Sequence, residues 1–129
     1  MSMPPPNLGA RFRKCDFQVH TLRDANWKGP FHPTKDRKAF ADALVADCRR
    51  KRLDAIAITD HHDLCMWSVV REAAQSEVLV DGTPVPEEAR LTVFPGVELT
   101  LSSPSCQVIL LLDPNLPGTT LHHIWGVLA

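Results

Sequence analysis

The chain has 129 residues, 44% of them hydrophobic, and a formal net charge of −1. That is enough apolar material for one core, and the charge balance gives no support to a protein that works as a polycation on nucleic acid. No run of about 20 apolar residues occurs and no apolar segment opens the sequence, so a membrane-spanning or secreted chain is not expected. Four cysteines at 15, 48, 65 and 106 form no C-x-x-C pair. Their spacing suits neither a zinc finger nor a disulfide framework, and the expectation is a reducing, cytoplasmic setting in which they pack as small apolar residues.

Residues 1–12 hold Pro4, Pro5, Pro6 and Gly9 and are expected to form a flexible lead-in. The domain proper is read from residue 13 to 129. Arg13 to His20 is the first strand. Cys15, Phe17 and Val19 alternate with Asp16, Gln18 and His20, so one face is apolar and the other lines up a carboxylate, an amide and an imidazole. Residues 21–34 form a loop broken by Gly29, Pro30 and Pro33, long for such a connection and therefore of functional interest. Thr34 can cap a helix over 35–51 whose buried face carries Phe40, Ala43, Leu44 and Cys48. Arg49 to Arg52 place positive charge at its C-terminus, where the helix dipole favours it.

"LDAIAIT" is a second strand, apolar on both faces as in parallel sheets. "DHHD" ends it, and Leu64 to Gln75 is a second helix, which Asp60 or Asp63 can cap. Residues 80–88 are an irregular excursion with a turn at Asp81-Gly82. "LTVFPGVELTL" is a third strand, interrupted at Pro95-Gly96, and "CQVILLLD" a fourth. A last helix starts near Leu116. This βα alternation predicts an α/β fold with a mostly parallel sheet, whose working residues gather at the C-terminal ends of strands. His20, His61 and Glu98 all fall there. Imidazole plus carboxylate is the ligand set of zinc, manganese and iron hydrolases, in which the ions activate water and clamp a phosphoryl group. Glu98, in an apolar strand, needs a partner if buried.

"DFQVHT", "ITDHHDL" and "FPGVELTL" resemble, in order, the first three motifs of the PHP (polymerase and histidinol phosphatase) family of metal-dependent phosphoesterases. The wording "DFQVHT…RDANWKG" looks most like the branch joined to SMC-like or AAA-like ATPase modules. The resemblance implies a distorted β/α barrel with divalent manganese, zinc or iron. It implies His20, His61 and Glu98 as catalytic ligands, with Asp24 and Asp60 as further metal ligands. Gln18 and Gln107 stand where the family carries histidines, and with His62 they become outer groups able to hydrogen-bond metal-held water. The implied substrate is a phosphoester, in this branch a nucleic acid, handled with an ATPase module in the same or a neighbouring chain. No G-x-x-x-x-G-K-[ST] segment occurs in the sequence itself. Barrels of this type need roughly 200–250 residues, so the expectation is the N-terminal portion of one, incomplete at its C-terminal end. The competing reading is a degenerate, non-catalytic module that binds a protein or nucleic acid.

Overall fold

The computed structural model describes residues 12–61 and 63–128. The lead-in read at 1–12 falls outside them except for exposed Phe12, and His62 falls outside them as well. The elements are β1 (Cys15–Val19), α1 (Arg37–Arg50), β2 (Ala55–Ile58), α2 (Cys65–Gln75), β3 (Thr92–Ser102), β4 (Ser105–Leu111) and α3 (Gly118–Leu128), with a short 3₁₀ turn at Glu87–Ala89. The four strands form one sheet in the order β1-β2-β3-β4. β1, β2 and β3 run parallel, and β4 returns antiparallel to β3. The fold is α/β, with a mixed, mostly parallel sheet curled into a half-barrel. No helix among the described residues is long and apolar enough to cross a membrane.

One face of the sheet carries the core. Ile56, Ile58 and Val93 pack under Phe40, Ala41, Val45 and Cys48 of α1 and Met66, Val70 and Ala74 of α2. All four residues of β2 are buried: α1 and α2 cover Ile56 and Ile58, and on the other face the small Ala55 and Ala57 lie between the flanking strands. The opposite face is partly open: Phe17 meets Phe94 edge-on at 5.6 Å, while Phe17, Ile109 and Leu111 keep more than a third of their surface exposed.

Several local expectations are corrected. α1 begins after Asp36, not Thr34, because the Asp36 carboxylate is tied to the His32 N–H at 2.6 Å and its carbonyl takes the Phe40 N–H. Its buried face runs through Ala41 and Val45, leaving Ala43 exposed. Cys15 and Cys106 are exposed, on strands at the sheet's two edges, and only Cys48 is buried. β3 is not interrupted at Pro95-Gly96. Instead it runs through, its regular pairing with β2 ending at Pro95 and its pairing with β4 starting at Gly96 on the other edge. Pro95 lacks an N–H to offer the ladder. Gly96 lets both neighbours approach: a Cβ would meet Leu110 O at 3.0 Å and Ile58 O at 3.1 Å.

The strict alternation read in β1 also fails, for a reason that matters to the site. Asp16 pairs with Ile56 and Val19 with Ile58, so β1 spends three residues where β2 spends two. This β-bulge shifts the phase of the strand. Asp16 and Val19 share the helix-covered side with Ile56 and Ile58. His20 then falls in phase with Phe17, on the open side, rather than in a row with Asp16 and Gln18.

α1 ends in a Schellman motif: Leu53 N–H reaches Cys48 O at 2.9 Å and Arg52 N–H reaches Arg49 O at 3.0 Å. The motif puts Arg52 at φ 57°, a left-handed conformation that costs an L-residue about 1 kcal/mol and glycine almost nothing. Arg52→Gly is expected to stabilise the protein by about 0.5–1 kcal/mol, read as an upward shift of the denaturant midpoint with unchanged slope.

Candidate metal centre

Three strand ends bring the site together. β1 hands on to His20, Thr59 N–H beyond β2 bonds Val19 O at 2.9 Å, and His61 makes an isolated bridge with Glu98 of β3. The ladder thus continues past Ile58 and sets His61 beside Glu98 while holding the end of β1 against β2. Residues 21–36 wrap the same end. Leu22 is in the core, and Trp27 and Phe31 each meet the Phe40 ring edge-on at 5.5 Å, which anchors the loop to α1.

His20 and His61 lie side by side, their rings stacked at 5.1 Å between centroids. Their Nδ1 atoms face Asp24 Oδ1, at 3.0 Å from His20 and 2.8 Å from His61. Their Nε2 atoms face Glu98 Oε2, at 3.1 Å and 3.2 Å. The donors His20, His61 and Glu98 all lie within 4.8 Å of one another, and so do His20, Asp24 and Asp60. Asp24, Asp60 and Glu98 are buried, and the two histidines are half-buried.

Burial pushes both aspartates up, yet their net shifts are opposite. Desolvation acts first on Asp24 and raises its pKa. The His61 backbone N–H, the His20 and His61 rings and the Asn26 N–H oppose it and win, leaving the carboxyl well below the usual range. Hydrogen bonds to a charged group contribute about 1.5–3 kcal/mol each, so four of them outweigh the cost of this burial. Asp60 has fewer. Burial raises its pKa, the Thr21 hydroxyl at 2.5 Å and Thr21 N–H at 2.6 Å oppose it, and the charges of Asp24 and Asp63 raise it again, so the net shift is upward. His61 is raised, first by its bond to Asp24.

These bonds fix protons. An ionised Asp24 only accepts, so both Nδ1 atoms donate to it, and in the neutral rings both Nε2 atoms carry lone pairs. Three acceptors then converge: two imidazole nitrogens and Glu98 Oε2, a buried oxygen with no hydrogen-bond partner among the described residues. The two Nε2–Oε2 spacings of 3.1 and 3.2 Å lie between the ligand–ligand edges of about 3.0 Å and 3.4 Å for octahedral and tetrahedral ions with bonds of about 2.0–2.2 Å. The donor set fits a divalent cation.

The other residues singled out in the sequence fall less centrally. Asp60 is engaged through both oxygens by Thr21, fully buried itself, and so clamps the turn that follows His20. Gln18 is exposed within the bulge, and no hydrogen bond joins its side chain to the cluster. Gln107 pairs with Thr100, one cross-strand position beyond the Glu98–Ile109 pair on the same face, and is exposed. Thr21, Arg23 and Asp63 were not singled out as site residues. Asp63 receives the Cys65 N–H at the start of α2 and the Arg23 guanidinium at 3.3 Å, and Arg23 N–H bonds Thr21 Oγ1. No periodicity marks such residues, because their partners lie about forty positions away.

Compared with known proteins, the chain matches no family model and no curated sequence.

Two outcomes follow from this geometry. Thr21→Val removes one bond to a buried carboxylate and is expected to cost about 1–3 kcal/mol in denaturant unfolding. In metal-free protein, the raised His61 contributes stability that is fully present below its unfolded value of about 6.5. That contribution is lost as pH rises through the higher folded value. Thermal midpoints of chelator-treated protein should therefore fall as pH climbs above about 6.5. The fall should be smaller in Asp24→Asn, which lacks the carboxylate charge that raises His61.

Proposed function

We propose that this protein is a metal-dependent phosphoesterase of the PHP type. The reading is carried by the convergence of His20 Nε2, His61 Nε2 and Glu98 Oε2 at the C-terminal ends of parallel strands. A divalent ion at these donors supplies Lewis-acid charge for a phosphoryl oxygen and acidifies water. The chain's own residues do the rest. Asp24 keeps the proton of each imidazole on Nδ1 and so keeps both Nε2 lone pairs aimed inward. Asp60 and Thr21 hold the turn that carries His20. Glu98 adds the negative charge that makes the set bind a dication in preference to a monovalent one. The resemblance of the three motifs supports a nucleic-acid phosphodiester as substrate, with an ATPase module in the same or a neighbouring chain. Manganese, zinc and iron all suit the donors.

A second, non-catalytic reading draws on one observation, the exposed apolar residues of the open face, Phe17 on one edge strand and Ile109 and Leu111 on the other. Hydrolysis of bis(p-nitrophenyl) phosphate with added Mn²⁺ separates the two. A phosphoesterase is expected to lose at least about 10²-fold in kcat/KM in His61→Ala and Glu98→Gln, with Lys38→Ala, on the exposed face of α1, unchanged. Absence of metal-stimulated turnover in the wild type would favour the binding module.

A further inference from the structure

We infer that the centre is built for a single divalent ion, held by His20 Nε2, His61 Nε2 and Glu98 Oε2, and that Asp24 is a positioning residue rather than a ligand of a second ion. The inference rests on the reading of this cluster as a metal centre, and it departs from the expectation that Asp24 and Asp60 add further ligands.

Protons and lone pairs on the two rings limit what the cluster can hold. The described residues contain two groups able to hold an ion, and they share His20. In the first, His20 offers Nε2. In the second, with Asp24 and Asp60, the ring atom that faces Asp24 is Nδ1. A neutral imidazole carries one proton and one lone pair. If Nδ1 donates to Asp24, Nε2 is free to bind. If Nδ1 binds an ion beside Asp24, the proton moves to Nε2 and the first group loses a donor. The two groups are therefore mutually exclusive on a neutral ring.

Three features favour the first. Asp24 Oδ1 already takes the His61 N–H at 2.8 Å, the His61 ring at 2.8 Å and the His20 ring at 3.0 Å, and Oδ2 takes the Asn26 N–H at 3.1 Å. Oδ1, the oxygen that faces both rings, has three donors and no lone pair left for an ion, while Oδ2, on the Asn26 N–H, is the oxygen that keeps an open site. Each oxygen of Asp60 accepts one hydrogen bond from Thr21, which commits the carboxylate to the turn after His20. Glu98 Oε2, by contrast, is buried, lies against both Nε2 atoms and has no hydrogen-bond partner among the described residues. One carboxylate thus orients two ligand imidazoles at once, the arrangement that fixes tautomer and raises ligand basicity in histidine metal sites. Three protein donors leave the remaining coordination positions open, as in catalytic rather than structural sites. A two-ion clamp on attacking and leaving oxygens is then not available from these residues, and phosphoester chemistry here relies on charge at one ion.

Equilibrium dialysis of chelator-stripped protein against Zn²⁺ alone, followed by elemental analysis, tests the stoichiometry. Ring ¹⁵N spectra of His20 and His61 in metal-free protein at about pH 8, above the histidine range, test the tautomer. The expected results are one zinc per chain, abolished in Glu98→Gln, with both rings protonated at Nδ1. Asp24→Asn should keep the 1:1 stoichiometry, weaken binding about 10–100-fold and shift both rings toward the Nε2-protonated form. Two zincs in the wild type and one in Asp24→Asn would overturn the proposal and make Asp24 a ligand. Unchanged affinity and tautomer in Asp24→Asn would overturn it as well. Should that variant not fold, as judged by circular dichroism, the wild-type stoichiometry and tautomers decide. One zinc without phosphodiester turnover would sink the enzymatic reading and leave this inference standing. Two zincs with turnover would do the reverse.

Discussion

The site depends on one buried oxygen, Asp24 Oδ1. It gathers a backbone N–H and two imidazole N–H groups from segments that the sequence separates widely. That convergence sets where both rings point, where their protons lie and which nitrogens remain to bind. It also explains why a carboxylate can sit in a loop that is otherwise folded onto the core by Leu22, Trp27 and Phe31. Without its four hydrogen bonds the group would cost several kcal/mol to bury in ionised form.

Around that oxygen the fold supplies two further constraints. The bulge in β1 turns His20 to the open side of the sheet, and Asp60 fastens the following turn through Thr21. The unbroken run of β3 through Pro95-Gly96 then sets Glu98 between the end of β2 and the returning β4. Gly96 is needed because two carbonyls approach where a side chain would stand. Packing on the helix-covered face and ligand geometry on the open face are coupled through these few backbone features, so a change in core register would be felt at the donors.

The sheet also explains why the parts of the cluster differ in accessibility. Asp24, Asp60 and Glu98 are buried between strand ends and the wrapping loop, while the rings of His20 and His61 stay half-exposed toward the open side. Asp24 is shielded from water, which strengthens its hold on the Nδ1 protons.

Much of the architecture was legible in the sequence because it is local. The apolar run Ala55–Ile58 can only be a strand buried on both faces, and the spacing of Phe40 and Cys48 reports one helix face. Histidine and carboxylate at the ends of such strands carry their chemistry in their residue types alone. What stayed hidden needs partners distant in the chain. Period-2 reading placed His20 in line with Asp16 and Gln18, since a bulge is defined by the neighbouring strand and leaves no mark in its own residues. The antiparallel return of β4 is decided by the short turn at Ser103-Pro104 and by pairing with β3. The split of Asp24 and Asp60 into a positioning carboxylate and a turn clamp is decided by how many donors reach each in space. Sequence determined which groups were present at the strand ends; only the tertiary fold decided which of them share protons and which are left with lone pairs facing one point, because hydrogen bonding at a buried carboxylate depends on distances that separate segments acquire on folding.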